Sequence, residues 1–491
     1  MTSSLVSLAK RLARYLTVAV LGLVVGFLGH QVYQLSEGPP LQPWHAERLS
    51  AEFTAKRAGE IRSFGDYRKL EDRLFAELEA QVYGSVGSGP DFALLRYSAG
   101  SAADPLSRTP NWNRSFELPA EDPVGGVLLL HGLTDSPYTF RALAQALAQE
   151  NHWVLGLRLP GHGTAPSGLL TVTWEDMAAA VEAAMAHLAS RVGGAPLHIV
   201  GYSTGAPLAL HHVLDLPEGA PRPASLVLVS PAIGVTPAAA LAKWKARLGR
   251  VPGLGKLAWT DVLPEFDPYK YNSFTANAGH QVHRITVGLA DRIEGLAADG
   301  PIASLPPTLV FLSTVDATVS TTAVVDRFLR HLAPERHELV LFDINREAVR
   351  SNVLIDDPGP LTGQMMADGT LPFAVTLIAN RDPGSRQIVA RGKPPFSPAA
   401  TEEVPLNLVW PPGVISLSHV ALPFPPDDPL YGQRPPGNED LLFLGEMAIK
   451  GERNLLKLPG EWSLRLRHNP FYGYLETRVL RWLEDAPGAK P

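Results

Sequence analysis

A serine stands between two glycines in residues 201–205, which read Gly-Tyr-Ser-Thr-Gly and follow an apolar run. A G-x-S-x-G match alone is weak, because about one chain of this length in four would contain one at ordinary residue frequencies. Its position between a predicted strand and a predicted helix favours a sharp turn that presents the Ser203 hydroxyl as a nucleophile. A loop serine that caps the following helix is the alternative.

A carboxylate that could support such a nucleophile occurs at Asp316, just past a predicted strand at 309–312. A carboxylate there can orient a histidine and stabilise its protonated form. The alternative is a loop aspartate that caps the helix beginning near Ser320.

The candidate for the general base is His419, which follows a predicted strand at 414–417. It would take the proton of Ser203 and return it to the leaving group. His331 and His337 compete for this role, but both precede a predicted strand and would lie at the amino end of the sheet. We therefore predict His419 as the base.

Two backbone amides could hold a developing negative charge near Ser203. The segment His131-Gly132-Leu133 follows a predicted strand at 127–130. The N–H groups of Leu133 and Thr204 would form an oxyanion hole, worth on the order of 3 kcal/mol per donor. Tyr202 and His131 are expected to line the substrate site, although His131 is more typical of a residue that orders its loop.

Short apolar runs alternate with helical patterns from about residue 126 onward. This alternation predicts an α/β fold with a mostly parallel sheet and helices on both faces. Ligands of such sheets bind at the carboxyl ends of the strands, where the candidate residues fall. Helices are predicted at 140–149 and, from a capping box at Thr173 and Asp176, to about residue 192. The predicted strands lie at 127–130, 153–157, 197–200, 226–229, 309–312, 339–342 and 414–417.

Residues 131–137, 157–164 and 201–205 together resemble the α/β-hydrolase superfamily, in particular its carboxylesterase, monoacylglycerol lipase and lysophospholipase group. That group includes serine aminopeptidase S33-like members. The resemblance covers about residues 124–345 and 405–485, and the order Ser, Asp, His along the chain agrees with it. It implies an α/β-hydrolase fold, a triad of Ser203, Asp316 and His419, and an oxyanion hole at Leu133 and Thr204.

Two further segments are expected within a catalytic domain at 121–490. A cap over the active site is expected at about 236–290, where basic and apolar residues interleave. About 100 residues separate Asp316 from His419, so we expect an insertion at about 346–405 ahead of the last strand. Patterns at 373–378 and 387–390 predict a β-hairpin in it.

The N-terminal residues predict a membrane anchor at 1–35. The run from Tyr15 to Gly29 has no charge and follows three basic residues, which fits an uncleaved anchor or a signal peptide. We expect the anchor, with the N-terminus in the cytoplasm and the domain on the other side, the periplasm in a bacterium. A buried helix is the alternative. Residues 36–120 would form a linker and a helical extension, interrupted near Gly65, that is either a stalk or a helix packed on the domain.

Composition excludes several other functions. A net charge of −6 and a pI near 6.2 argue against a nucleic-acid partner. The chain has no cysteine, no H-E-x-x-H metal motif and no phosphate-binding G-x-x-x-x-G-K-[ST] motif. Acyl transfer through serine needs no cofactor, and none is expected.

The sequence supports three hypotheses for function. The first is hydrolysis of a small-molecule or lipid-like carboxylic ester through an acyl-serine intermediate. The second is an aminopeptidase-like activity, in which Glu265, Asp267 and Asp291 would bind a free amino terminus. The third is a hydrolase-fold binding protein without activity, which the presence of Ser203, Asp316 and His419 argues against. The oligomeric state does not follow from the sequence.

Overall fold

The structure is a computed structural model in which part of the chain can be described residue by residue. The described residues are 2–216, 219–234, 244–249, 251, 253–349, 354–434, 442–445, 466–486 and 488. Parts of the predicted cap (236–243, 250 and 252) and of the predicted insertion (350–353) lie outside them.

A ten-stranded sheet forms the centre of the molecule. Its strands are ordered β1-β3-β2-β4-β5-β8-β9-β10-β11-β12, and every neighbouring pair from β3 to β10 is parallel. A separate two-stranded sheet joins β6 and β7. The strands are β1 Phe116–Leu118, β2 Gly125–Leu130, β3 His152–Leu157, β4 Leu197–Tyr202, β5 Ser225–Val229, β6 Trp259–Asp261, β7 Phe274–Thr275, β8 Thr308–Ser313, β9 His337–Phe342, β10 Ala374–Asn380, β11 Gln387–Lys393 and β12 Glu402–Val409.

Helices cover both faces of this sheet. The α-helices are α1 Thr2–Glu37, α2 Pro43–Ala46, α3 Phe64–Gln81, α4 Arg141–Gln149, α5 Trp174–Arg191, α6 Gly205–Leu214, α7 Ala276–Ala297, α8 Thr321–Arg327, α9 Gly359–Ala367 and α10 Tyr472–Glu484. Short 3-10 helices lie at Ala55–Glu60, Tyr83–Ser85, Pro90–Phe92, Pro105–Ser107, Pro137–Phe140, Pro166–Leu170, Gly255–Ala258, Leu329–His331 and His419–Ala421.

The central strands are apolar on both faces because each face packs against helices. Every residue of β2, β4, β5, β8 and β9 is buried. Side chains of one face join a core with α5 and α6, and those of the other face join a second core with α4 and α10. The predicted α/β architecture with a mostly parallel sheet is confirmed, as is the capping box of Thr173 and Asp176 at the start of α5.

The prediction for the C-terminal part of the sheet is wrong in two respects. Residues 414–417 form no strand. The predicted hairpin does form, but β10 pairs in parallel with β9, and β11 and β12 extend the same sheet. The segment at 346–405 therefore continues the main sheet and is not inserted ahead of its last strand. Apolar patterning identifies strands, but it does not tell which strand lies at the edge.

The N-terminal extension packs on the domain, which is one of the two predicted arrangements. Ser63 caps α3, and the helix buries apolar side chains that include Leu70 and Leu74. Its Glu71 carboxylate accepts a hydrogen bond from the guanidinium of Arg158, at 2.8 Å, just after β3. Glu52 binds the same guanidinium at 3.0 Å. Since Glu71 and Arg158 are almost fully buried, the charge of Glu71 depends on Arg158, whereas Arg158 has two carboxylate partners.

The predicted membrane anchor is wrong. No helix in the described ranges is both long enough and apolar enough to cross a membrane. Although α1 is 36 residues long, the run that suggested the anchor, Tyr15 to Gly29, is followed by the polar His30 and Gln31 and falls short of the roughly 20 apolar residues that a span requires. The predicted orientation, with the N-terminus in the cytoplasm and the domain on the other side of a membrane, depended on this anchor and is wrong as well.

The buried contact between Glu71 and Arg158 predicts a large loss of stability when one partner is removed. Arg158→Met should lower the free energy of unfolding by about 3–5 kcal/mol, because Glu71 would keep a buried, poorly compensated charge. Glu60→Ala, which removes an exposed partner of Arg57, should cost less than about 1 kcal/mol. Denaturant titration of both variants measures the difference, and equal midpoints would contradict the account.

Candidate active site

Ser203 lies in a tight turn between β4 and α6. Its φ of 51° is in the left-handed region, which is unfavourable for a residue with a side chain. Backbone hydrogen bonds hold this conformation: the Ser203 N–H donates to the Val229 carbonyl at 3.0 Å, and the Ser203 carbonyl accepts from Ala232 at 3.1 Å. A serine held in a strained turn at the carboxyl end of a strand matches the expected geometry of a nucleophile.

The two glycines of the motif allow the turn to pack closely. A Cβ on Gly205 would overlap the carbonyl oxygen of Leu130 at the end of β2, and a Cβ on Gly201 would lie 2.7 Å from the backbone of Gly205. Real Cβ atoms essentially never approach backbone atoms that closely. Glycine is therefore required at both positions by the approach of α6 to β2 and β4.

The structure brings the three predicted side chains into one hydrogen-bonded series. The His419 Nε2 lies 3.0 Å from the Ser203 Oγ, and the His419 Nδ1 lies 2.8 Å from the Asp316 Oδ2. All three side chains are almost completely buried. With Nδ1–H donating to the carboxylate, Nε2 is left to accept the serine proton. The arrangement is chemically able to activate the hydroxyl, while the catalytic role of each residue remains a prediction.

Asp316 is held in its ionised form. Burial alone would raise the pKa of Asp316, but the charge and hydrogen bond of His419 outweigh burial and lower the pKa below its ordinary value. The backbone N–H groups of Thr318 and Val319 donate to its other oxygen at 2.8 and 2.9 Å and act in the same direction. The same two bonds fix the loop of Asp316, but the following helix is capped by Ser320, so the alternative of a helix-capping aspartate is wrong.

His419 reaches the site from a loop and not from the end of a strand. The backbone before it is attached to Asn345, just past β9: the Asn345 N–H donates to the Ile415 carbonyl at 2.7 Å, and its side-chain amide donates to the Val414 carbonyl at 2.9 Å. Asn345 was not anticipated from the sequence. Its position after a strand of the parallel sheet was the one available signal.

The competing histidines lie elsewhere. His337 is the first residue of β9, at the amino end of the sheet, and burial lowers its pKa to about 4. His331 ends a 3-10 helix before the same strand. Among the contacts of the described residues, neither ring reaches Ser203 or Asp316, whereas His419 contacts both.

The predicted oxyanion donors lie in the loop after β2 and at the start of α6. Among the turn, loop and cap hydrogen bonds of the described residues, none is donated by the backbone N–H of Leu133 or of Thr204. The loop is fixed from the other side by the Tyr271 N–H, which donates to the Thr134 carbonyl at 2.8 Å. Both amides therefore remain candidates for binding an oxyanion.

The two residues predicted to line the substrate site are both engaged in internal contacts. His131 is fully buried, and its ring nitrogens contact the Gly132 carbonyl at 2.8 Å and the Leu159 N–H at 3.1 Å. A ring with both nitrogens used inside the protein orders its loop, as the alternative for His131 supposed, and its contact with substrate stays a prediction. The Tyr202 hydroxyl donates to the backbone carbonyl of His419 at 3.3 Å, and this bond helps to hold the backbone of His419 in place.

A cavity of about 230 Å³ lies beside the site. Its wall includes Val420, the neighbour of His419, and Lys270, whose ammonium group is 2.7 Å from Asp135 in the loop after β2. Arg467 and Asn272 also line it. The sequence pattern did not reveal Lys270 or Arg467 as site residues. Among the residues that the structure describes, no group of three His, Asp or Glu side chains is placed to hold a metal ion.

Comparison with known proteins identifies a family match in the central part of the chain. The family model for serine aminopeptidase S33 matches residues 121–345. A thermostable monoacylglycerol lipase from Bacillus sp. (strain H-257) is 32% identical over 146 residues, which cover 28% of this chain and 58% of the lipase. Residues 121–345 belong to the α/β-hydrolase superfamily. This hydrolase region is similar to the monoacylglycerol lipase group, and the match spans little more than half of the lipase's length.

Solved structures similar to this α/β-hydrolase include monoacylglycerol lipases. The enzyme from Paleococcus ferrophilus is 21% identical with a TM-score of 0.36, over 47% of this chain and 88% of that one. A soluble variant of the monoglyceride lipase from Saccharomyces cerevisiae is 15% identical with a TM-score of 0.37, over 47% and 82%.

The close contact at Gly205 predicts that this position tolerates no side chain. Gly205→Ala should lower the free energy of unfolding by about 1–3 kcal/mol, because the added methyl group would overlap the backbone of Leu130, which cannot move away. Gly288→Ala, in an exposed part of α7 with open space around it, should instead stabilise by up to about 1 kcal/mol. Thermal and denaturant unfolding of the two variants should shift in opposite directions, and a neutral Gly205→Ala would count against the described turn.

Proposed function

We propose that this protein is a serine hydrolase that cleaves carboxylic esters through an acyl intermediate on Ser203. The observation that carries the proposal is the pair of hydrogen bonds that joins Ser203 to His419 and His419 to Asp316, at 3.0 and 2.8 Å. The strained backbone of Ser203 and the α/β-hydrolase membership of residues 121–345 support it.

The proposed reaction has two halves. The Ser203 Oγ attacks the ester carbonyl carbon while His419 Nε2 takes its proton, and the carbonyl oxygen becomes an oxyanion that the amides of Leu133 and Thr204 bind. The C–O bond to the alcohol then breaks, and the alcohol leaves with the proton from His419. In the second half, water attacks the acyl group with His419 as base, which releases the carboxylic acid and restores Ser203.

Asp316 contributes by holding the imidazole. Its carboxylate fixes the tautomer that carries a proton on Nδ1 and stabilises the imidazolium that forms in each half of the reaction. The lowered pKa of Asp316 favours the ionised form that this role requires.

The contacts around the site favour an ester over the free amino terminus of a peptide. Glu265 is buried and accepts hydrogen bonds from the N–H groups of Asn272 and Ser273, at 3.0 and 2.8 Å. Asp291 is exposed on α7. Asp267 lines the cavity, but both of its oxygens already accept hydrogen bonds from the Tyr431 hydroxyl.

The proposed substrate is an acyl ester with an apolar acyl part. The similar lipase from Bacillus sp., which is named for monoacylglycerols, supports this substrate class. The intact hydrogen bonds of the triad argue against an inactive binding protein, since such a protein would have no need of them.

The assignment of nucleophile and base predicts distinct effects of single substitutions. A fluorophosphonate should label the full-length protein but not Ser203→Ala. His419→Ala should lower kcat/KM on short-chain nitrophenyl esters by at least about 1000-fold, because the hydroxyl loses its base. His337→Gln, at the opposite end of the sheet, serves as the matched control and should retain activity within about threefold.

Two outcomes would contradict the proposal. Labelling that persists in Ser203→Ala would place the nucleophile elsewhere, and a larger loss in His337→Gln than in His419→Ala would place the base elsewhere. A parallel assay on aminoacyl nitroanilides tests the peptidase alternative, and the proposal predicts turnover of the esters alone.

A further inference from the structure

The cavity beside His419 contains an arginine with unused hydrogen-bond donors. The Arg467 side chain is 16% exposed, and its Nε is buried without a hydrogen-bond partner. Its Nη1 approaches the Asp267 Oδ2 only to 3.7 Å, which is too far for a hydrogen bond. Within the described ranges, no guanidinium nitrogen of Arg467 donates to a protein acceptor. A guanidinium carries five N–H groups, and buried polar groups in native proteins normally have partners.

Burial raises the pKa of Asp267, and the nearby charge of Arg467 is the main influence that opposes burial, but the hydrogen bonds of this carboxylate come from other groups. The Tyr431 hydroxyl donates to the Asp267 carboxylate at 2.7 Å, and the N–H groups of Tyr269 and Lys270 donate to it at 3.0 and 3.2 Å. Arg467 therefore offsets the charge of Asp267 without a hydrogen bond to it, and its N–H donors remain available to a group that enters the cavity.

Two other polar groups line the same space. Asn272 borders the cavity, and only its side-chain Nδ2 can donate to an anion, because its buried Oδ1 is an acceptor. The ammonium group of Lys270 contacts Asp135 at 2.7 Å and has further N–H donors. The cavity volume, about 230 Å³, equals that of several water molecules and suffices for a small charged group.

We propose that this cavity binds an anionic group, a carboxylate or a phosphate, that the ester substrate carries. Arg467 is the principal donor, because its planar guanidinium can bind either group through two parallel N–H bonds. Lys270 supplies the second positive charge in the wall of the cavity. Since Val420 borders the cavity directly after His419, an anion bound there belongs to a substrate whose ester lies at Ser203. The inference rests on the proposed ester hydrolysis and adds the substrate class.

Paired substrates that differ only in charge test this proposal on the full-length protein. For a carboxylate, mono-4-nitrophenyl glutarate, which has one free carboxylate, is compared with methyl 4-nitrophenyl glutarate, in which that carboxylate is methylated. For a phosphate, a 1-acylglycerol 3-phosphate is compared with the 1-acylglycerol of the same chain length. At least one anionic ester should have a kcat/KM about tenfold above its neutral partner, mainly through a lower KM. The pair with the larger ratio identifies the anion.

Substitutions assign the preference to Arg467. The ratio of anionic to neutral kcat/KM should fall at least about fivefold in Arg467→Met and less in Arg467→Lys, which keeps the charge but loses the paired donors. Asn272→Asp adds a repulsive charge without removing Arg467 and should also lower the ratio. Arg381→Met changes an exposed arginine at the turn after β10, paired with Asp382, and should leave the ratio unchanged.

A ratio near one in the natural sequence, or an equal ratio in Arg467→Met and the natural sequence, would overturn the proposal. Calorimetric titration of Ser203→Ala with glutarate monomethyl ester and with glycerol 3-phosphate gives a readout that does not require turnover. Binding that Arg467→Lys weakens supports the site even if hydrolysis fails, and absence of binding to both anions overturns it. Ser203-dependent turnover of neutral esters without anion preference would refute this inference alone and leave the proposed hydrolysis intact.

Discussion

The account of this protein depends on one imidazole that bridges two distant parts of the chain. His419 contacts Ser203, 216 residues earlier, and Asp316, 103 residues earlier. These contacts form because the parallel sheet brings the ends of β4 and β8 to one edge, while Asn345 holds the backbone that precedes His419. Any change that shifts this loop would separate the base from the nucleophile, even if both strands remained in place.

Local sequence patterns predicted the parts of the molecule that depend on local packing. The apolar runs at β2, β4, β5, β8 and β9 are strands because both of their faces are buried, and the Gly-Tyr-Ser-Thr-Gly segment forms a turn because its glycines pack against neighbouring backbone. Patterns of this kind do not show which strands become neighbours in the sheet or which distant side chains meet. Residues 414–417 look like a strand, but the edge next to β9 is already taken by β10. Arg467 and Lys270 were missed for the same reason, since only the folded chain places them next to Val420.

The N-terminal extension forms part of the support of the site, although none of its residues belongs to the triad. Glu52 and Glu71 hold the guanidinium of Arg158 after β3. Farther along the extension, Arg96 donates hydrogen bonds from its side chain to the carbonyl groups of Asp267 and Lys270, at 3.2 and 3.3 Å. The extension thereby positions the loop that carries Lys270 beside the candidate oxyanion hole. A compact hydrolase domain without this extension would need another way to hold that loop.

The most direct test of the central claim is a crystal structure of the full-length protein after reaction with a fluorophosphonate. The account predicts continuous density from the Ser203 Oγ to phosphorus, with the phosphoryl oxygen about 2.7–3.1 Å from the backbone nitrogens of Leu133 and Thr204. His419 should remain within hydrogen-bonding distance of the adduct. A phosphoryl oxygen that points away from both amides, or an adduct on another residue, would contradict the account.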